Sequence, residues 1–329
     1  MIIFLWAIIP VFGGQGPRFY QMEEEHSCSE SWIWHVLFLN NIFPMRQTSK
    51  CLQQTWYLAN DMQFFVILCI LTGFYATKRK VFYYTSVALS IAAITIQLII
   101  INTNDLKASY LTYQDEYWSL YYYKPYTRIH GYLVGLWFGC IFYSYKHENP
   151  EVEEAGEEEA ADEEETISKP GNFINDTLTL MKTDTRVWVL CCFLGFSMQA
   201  LMVLFHKKIN NNPNDISPAL NLTFLMIARP VFVTGFALIM MPIVLGNKSA
   251  KPISGFLSHE FWIMPTRLVY GVFLCNSVIM QFYIYDSERG IWIQDVDVVM
   301  LFFAFLLFSF VLSFLFYVLV EGPFALLLE

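Results

Sequence analysis

Residues 51–65 read Cys51-Leu-Gln-Gln-Thr55-Trp56-Tyr57-Leu58-Ala59-Asn60-Asp61-Met62-Gln63-Phe64-Phe65, and VILCILTGFYAT continues to residue 77. The run from 61 to 77 is apolar enough to read as a membrane helix, with Asn60 and Asp61 at its mouth. A carboxylate at that depth is costly, so Asp61 is expected to face protein or a wet cavity. Its neighbour Asn60 adds a second hydrogen-bonding group there.

The rest of the chain follows suit. It is 56% hydrophobic, 18% aromatic and only 15% charged, beyond what a soluble domain carries. Apolar runs of about 18 residues or more recur, which is the mark of membrane helices. The 30 phenylalanines and 19 tyrosines suit lipid-facing surfaces and interfacial belts. Basic residues are few and scattered, which excludes nucleic acid as a partner. The expected fold is all-α, a polytopic transmembrane helical bundle of about seven spans plus an N-terminal partial helix.

The segment 1–12 (MIIFLWAIIPVF) is apolar, but too short to cross a ~30 Å core as a helix. Without a basic n-region or a small-residue cleavage site it is a poor signal peptide. Residues 13–60 form a polar, aromatic-rich external segment. Spans are expected at 61–77, 81–102 and 129–146, then at 187–206, 219–246, 261–285 and 295–320. The domain plan is thus three helices in 61–146, an acidic linker in 147–186, and four helices with a short tail in 187–329. The short basic turn Lys78-Arg79-Lys80 prefers the cytoplasm, which makes 13–60 lumenal or extracellular and the linker cytoplasmic.

The net charge of −9 is local: residues 148–165 hold 11 of the 29 acids, leaving 18 acids against 20 bases elsewhere. Such a run cannot bury enough apolar surface to order itself. It is a solvated spacer or a contact for a basic protein partner. Cys69, Cys140, Cys191, Cys192 and Cys275 lie in apolar runs as small core or lipid-facing residues. Cys28 and Cys51 lie within the external segment 13–60 and flank its polar, Trp-rich stretch, either as a disulfide or as two free thiols.

Candidate binding residues are sparse. In Lys124-Pro125-Tyr126-Thr127-Arg128, Pro125 pushes Lys124 toward extended geometry and can begin the next helix. Lys124 and Arg128, with Tyr126 between them, either form an anionic-ligand pocket, pair with a carboxylate such as Asp61, or anchor the helix end by snorkelling. Arg229 lies well inside its span, where a charge faces the bundle interior or a cavity. The carbonyl freed by Pro230 is one partner for it. Arg267 either meets the phosphates of a cytosolic donor or follows the positive-inside bias, with Glu321 as a possible ion-pair partner. The histidines are His26, His35, His130, His147, His206 and His259. None sits mid-span or has metal-ligand spacing with another, so neither a catalytic base nor a metal site is read from spacing. At the start of a helix, His259 suits an ordinary interfacial role.

Several ordered motifs carry a resemblance. CSESWIWHVLFLNN (28–41), TWYLANDMQFF (55–65), YYYKPYTRIHGYLVGLWFG (121–139), FLSHEFWIMPTRLVYGVFLCN (256–276) and VEGPF (320–324) resemble the nose-resistant-to-fluoxetine-like branch of the type 3 membrane acyltransferases. The resemblance implies a helical bundle that moves acyl groups from acyl-CoA to a hydroxyl acceptor, with no tightly bound cofactor. It also places the family's catalytic His and a nearby Arg upstream of the Gly13-Gly14-Gln15-Gly16-Pro17-Arg18-Phe19 segment near which this chain begins. Asn276 stands where the family motif ends in His, and an amide cannot exchange protons near neutral pH. An incomplete or inactive acyltransferase is therefore expected. The alternatives are a structural subunit and a lipid or small-molecule transporter. Asp61, Lys124, Arg128 and Arg229 are the residues expected to line the cavity. Membrane lipids are the expected surroundings, in the secretory pathway or plasma membrane, with a mitochondrial membrane as the alternative.

Overall fold

The computed structural model describes residues 31–43, 53–109, 116–148, 173–211, 216–287 and 294–323. The expected helix over 1–12, the Gly13–Phe19 segment, Cys28, Cys51 and nearly all of the acidic run lie outside them. In chain order the helices are α1 (Trp32–Val36), α2 (Trp56–Thr77), α3 (Arg79–Thr103), α4 (Pro125–Glu148) and α5 (Phe173–Thr183). They continue as α6 (Thr185–Asn211), α7 (Pro218–Val244), α8 (Lys251–Leu257), α9 (Ile263–Asp286) and α10 (Asp295–Phe316). Wider π-type turns occupy Tyr117–Tyr122 and Tyr317–Glu321. No strand occurs among the described residues, and the all-helical polytopic bundle expected from composition is present.

Every expected full-length span falls on a helix, and among the described residues 6 helices are long and apolar enough to cross a membrane. Helix α4 is not among them, because its glycines, tyrosines, histidines and basic end dilute the apolar run expected at 129–146. Threonines are tolerated in the spans because their hydroxyls donate back to their own helix. Thr95 reaches Ile91 O at 2.9 Å, Thr103 reaches Ile99 O at 2.7 Å, and Thr234 reaches Pro230 O at 2.8 Å. In lipid no water would satisfy them otherwise.

Two boundaries differ from expectation. Helix α2 starts at Trp56 rather than at residue 61, so Asn60 and Asp61 lie about one turn inside it instead of at its mouth. The linker expected over 147–186 ends in a helix, α5, whose Leu178 is buried with Tyr145, Met241 and Leu245. Its partner surface is remote in sequence, so local composition alone reads as linker.

The chain divides into one unit of Met1–Met62 with His259–Glu329, and a second of Gln63–Ser258. In the first, a buried polar network fastens the α1 region to the start of α2. Asn41 Nδ2 donates to Asn60 Oδ1 at 2.8 Å, and Asn40 Nδ2 donates to Thr55 Oγ1 at 3.0 Å. His35 Nδ1 and Thr55 Oγ1 share a hydrogen bond of 2.8 Å. Burying these amides requires such pairing. Helices α9 and α10 pack in the same unit through hydroxyls as well as apolar contacts, with Ser313 Oγ donating to Leu268 O at 2.9 Å. Interhelical bonds from small polar residues are a common membrane device.

Burial pushes the His35 imidazole down to about 4 from 6.5. The unfolded segment therefore takes up a proton before the folded one does, and stability contributed here is lost as pH falls from about 6.5 toward about 4. Backbone hydrogen exchange over 31–43, corrected for intrinsic pH dependence, should accelerate across that window in the wild type. A His35→Gln variant should lack this step; an unchanged pH profile in the variant would count against it.

The second unit holds its helices in alternating directions. Phe64 of α2 meets Tyr132 of α4 with ring centroids 4.4 Å apart, while Tyr75 donates to Cys140 O at 3.1 Å, so α2 and α4 run parallel. Helix α3 runs against them, since Phe82 lies 5.7 Å from Trp137 and Gln97 Nε2 donates to Tyr126 O at 2.8 Å. One end of the unit thus gathers Lys78-Arg79-Lys80, the C-terminus of α4, and Asn247, whose amide donates to Met181 O at 2.8 Å. The other end gathers residues 104–109, the Tyr117–Tyr122 turn and the start of α7. Asn221 locks it by donating to Leu106 O and accepting from Ala108 N, both at 2.8 Å.

Candidate functional site

At that second end, the aromatic turn Tyr117–Tyr122 runs into Lys124 and then Pro125, the first residue of α4. Pro125 has no amide hydrogen to lose at a helix start, and it disfavours helical geometry for Lys124, which breaks the chain there. Local hydrogen bonds then clamp the turn to the helix. Thr127 Oγ1 donates to Tyr121 O at 2.8 Å and to Lys124 O at 2.9 Å. The Tyr126 hydroxyl donates to Leu120 O, and the Tyr121 hydroxyl reaches across to Leu225 O of α7.

This clamp brings the expected cations together. Arg229 Nη1 donates to Thr127 O at 3.0 Å, and its guanidinium carbon lies 4.7 Å from the Tyr121 ring centroid and 5.8 Å from that of Tyr122. Arg128 Nε donates to Tyr122 O at 3.2 Å while its guanidinium lies 4.5 Å from the Tyr122 ring centroid. Both guanidinium groups therefore share one aromatic face system, each contact worth about 0.5–2 kcal/mol depending on desolvation. Lys124 is 5% exposed, and its burial pushes the ammonium down to about 8, which leaves it mostly charged at neutral pH. Guanidinium and ammonium groups are the usual protein partners of carboxylates and phosphates.

Arg229 does not go to the carbonyl freed by Pro230, as the sequence suggested. It crosses instead to the Thr127 carbonyl in the first turn of α4. Near this cluster, Gln97 is buried between α3 and α4, and its amide nitrogen lies 3.4 Å from His130 Nδ1. Sequence reasoning missed Gln97, Tyr121, Tyr122 and Thr127 as site residues. The triple tyrosine run beside two basic residues was the available signal, since aromatic faces next to cations favour stacking.

The remaining candidates belong to the first unit. Asn60 is 1% exposed and serves the amide network, whereas Asp61 is half-buried on α2. Arg267 is exposed on α9, and no ion pair joins it to Glu321. Asn276 lies on α9 with Ser309 Oγ at 3.5 Å from its Oδ1. His259 accepts from Phe261 N at 3.1 Å, so it caps the turn before α9. Among the described residues, no three His, Cys, Asp or Glu side chains gather in a way that could hold a metal.

Residues 1–318 match the profile of a family described as an acyltransferase domain. Nose resistant to fluoxetine protein 6 of Caenorhabditis elegans is 22% identical over 280 residues, which is 82% of this chain and 30% of that protein. The chain therefore spans about 30% of the length of the curated relative it matches. No solved structure matches it.

Proposed function

The chain belongs to the acyltransferase domain family that its residues 1–318 match, and from that membership we propose, in place of the incomplete or inactive form expected from the sequence, that it takes part in transferring an acyl group from acyl-CoA to a hydroxyl acceptor in a membrane. In such a reaction the thioester C–S bond breaks, an ester C–O bond forms, and the acceptor's proton ends on the CoA thiol. The observation that carries the proposal to particular residues is the shared stacking of Arg128 and Arg229 on Tyr122, with Lys124 buried beside the same turn.

Arg128, Arg229 and Lys124 hold an anionic group of the substrate. The Tyr121 and Thr127 bonds keep the cations in place, so little reorganisation is needed when the ligand arrives. Proton transfer is assigned to none of these groups, because guanidinium and ammonium ions are poor bases at neutral pH. Secretory-pathway or plasma membrane is the proposed location.

The test uses membranes from cells making the chain, incubated with acyl-labelled acyl-CoA. Protein-dependent, alkali-labile labelled ester, together with saturable acyl-CoA binding, is the expected result. Absence of both would overturn the reading. Movement of lipid across vesicles without donor would replace it with transport.

A further inference from the structure

The second unit carries a groove at the end opposite the cation cluster. Its volume is about 780 Å³, and it lies between the C-terminal half of α2, the first residue of α3 and α4. That size falls within the ~300–1,000 Å³ of ordinary small-ligand sites. Its two ends differ in chemistry. At the helix termini it is lined by Arg79 and His147, both exposed, with Lys78, Lys80 and Lys146 exposed beside them in sequence. Farther along α4 it is floored by Gly135 and Gly139, where an added Cβ would meet nothing within 4 Å. Leu136, Ala76 and Cys140 complete an apolar wall, and no acidic residue lines the groove.

We infer that this groove binds one anionic glycerophospholipid, with its phosphate at Arg79 and His147 and an acyl chain lying along Gly135 and Gly139. The length suits this occupant, since His147 and Gly135 are 12 positions apart on a continuous helix, a rise of about 18 Å. Charge suits it too, because a basic rim between membrane helices recognises an anionic headgroup. The apolar half separates a lipid from a free phosphate or a nucleotide. Gly135 and Gly139 are exposed on α4, and Thr72 and Ala76 are exposed on α2, a helix long and apolar enough to cross a membrane, so this part of the groove is open to acyl chains. A water-soluble anion has no use for that surface. Tyr75 stiffens the wall, as its hydroxyl bonds both Cys140 O and Ser144 Oγ while Arg79 lies 5.3 Å from its ring centroid. This inference stands apart from the acyl-transfer reading and does not require it.

The experiment reconstitutes the full chain in nanodiscs of phosphatidylcholine and phosphatidylglycerol at 4:1 with identical acyl chains. The protein is then released into mild detergent, and the retained lipids are counted by native mass spectrometry. The wild type should retain phosphatidylglycerol at least threefold above its bulk share. Arg79→Gln should return that share to bulk. Gly139→Leu, which fills the chain half without altering charge, should cut retained phosphatidylglycerol several-fold. Lys208→Gln, at the opposite end of the unit, should change nothing. A wild type without enrichment overturns the inference, as does enrichment that survives both groove variants. Because Arg79 is exposed, its variant should fold; an unchanged melting profile checks this independently of Gly139→Leu.

Discussion

Replacing Gly235 with leucine is expected to drive α6 and α7 apart and to abolish most of the folded protein recovered from membranes. The two helices meet through a reciprocal glycine contact. A Cβ on Gly235 would lie 2.8 Å from the Gly195 carbonyl oxygen and 3.2 Å from Met198 Cβ. A Cβ on Gly195 would lie 2.5 Å from the Gly235 carbonyl oxygen and 2.6 Å from Ile239 Cγ1. The obstacles include backbone on both sides, so no flexible side chain can swing away. Overpacking typically costs about 1–3 kcal/mol, and more where backbone must move. Against a total stability of about 5–15 kcal/mol, that is a large loss. Lipid offers no hydrophobic gain for helix association, so close approach at small residues supplies the attraction itself. Fluorescence-detected size exclusion and a thermal midpoint are the measurements. Leucine should remove most of the monodisperse peak, and Gly235→Ala should lower the midpoint by less. A leucine variant with the wild-type midpoint would refute the contact as a support.

The second large effect is expected at Arg229. Methionine keeps much of the side-chain volume but removes the hydrogen bond to Thr127 O and the cation–π contacts with Tyr121 and Tyr122. Loss of a charged donor from a buried acceptor costs about 1–3 kcal/mol, and about 1.4 kcal/mol is tenfold in an equilibrium constant. Hydrogen exchange over 117–128 should rise tenfold or more in Arg229→Met, because that segment loses its tie to α7. Donor-dependent transfer should fall at least as far in kcat/KM. Arg229→Lys should recover part of the transfer rate but little of the protection, since an ammonium carries the charge without the planar fork. Wild-type exchange in the methionine variant would remove Arg229 from its clamping role. Wild-type kcat/KM with raised exchange would leave the clamp and remove the substrate contact.

Much of this architecture was legible in the sequence. The apolar runs after Asp61, Lys80 and Arg186 gave away their helices because hydrophobic length is a local property. Pro125 marked the start of α4, since the missing amide hydrogen and fixed φ act within one residue. Arg229 stood out as a cation within a span because a charge inside an apolar run is conspicuous without any partner in view. Other features were not legible. Helix α5 reads as part of a polar linker until Leu178 finds Tyr145, Met241 and Leu245. Trp56–Asn60 reads as loop until Asn41 satisfies the Asn60 amide from outside the helix.

Membership of the bundle, the alternation of its helices and the presence of unusual cations were determined by the sequence alone, because chain segments partition into lipid by their own composition. Which residues share a site was decided only by the tertiary structure. Thr127 and Arg229 lie 102 positions apart, and Ala108 and Asn221 lie 113 apart. A hydrogen bond or an aromatic stack depends on distance and direction in space, and nothing in the local order of residues encodes which partner a side chain will meet once the helices have packed.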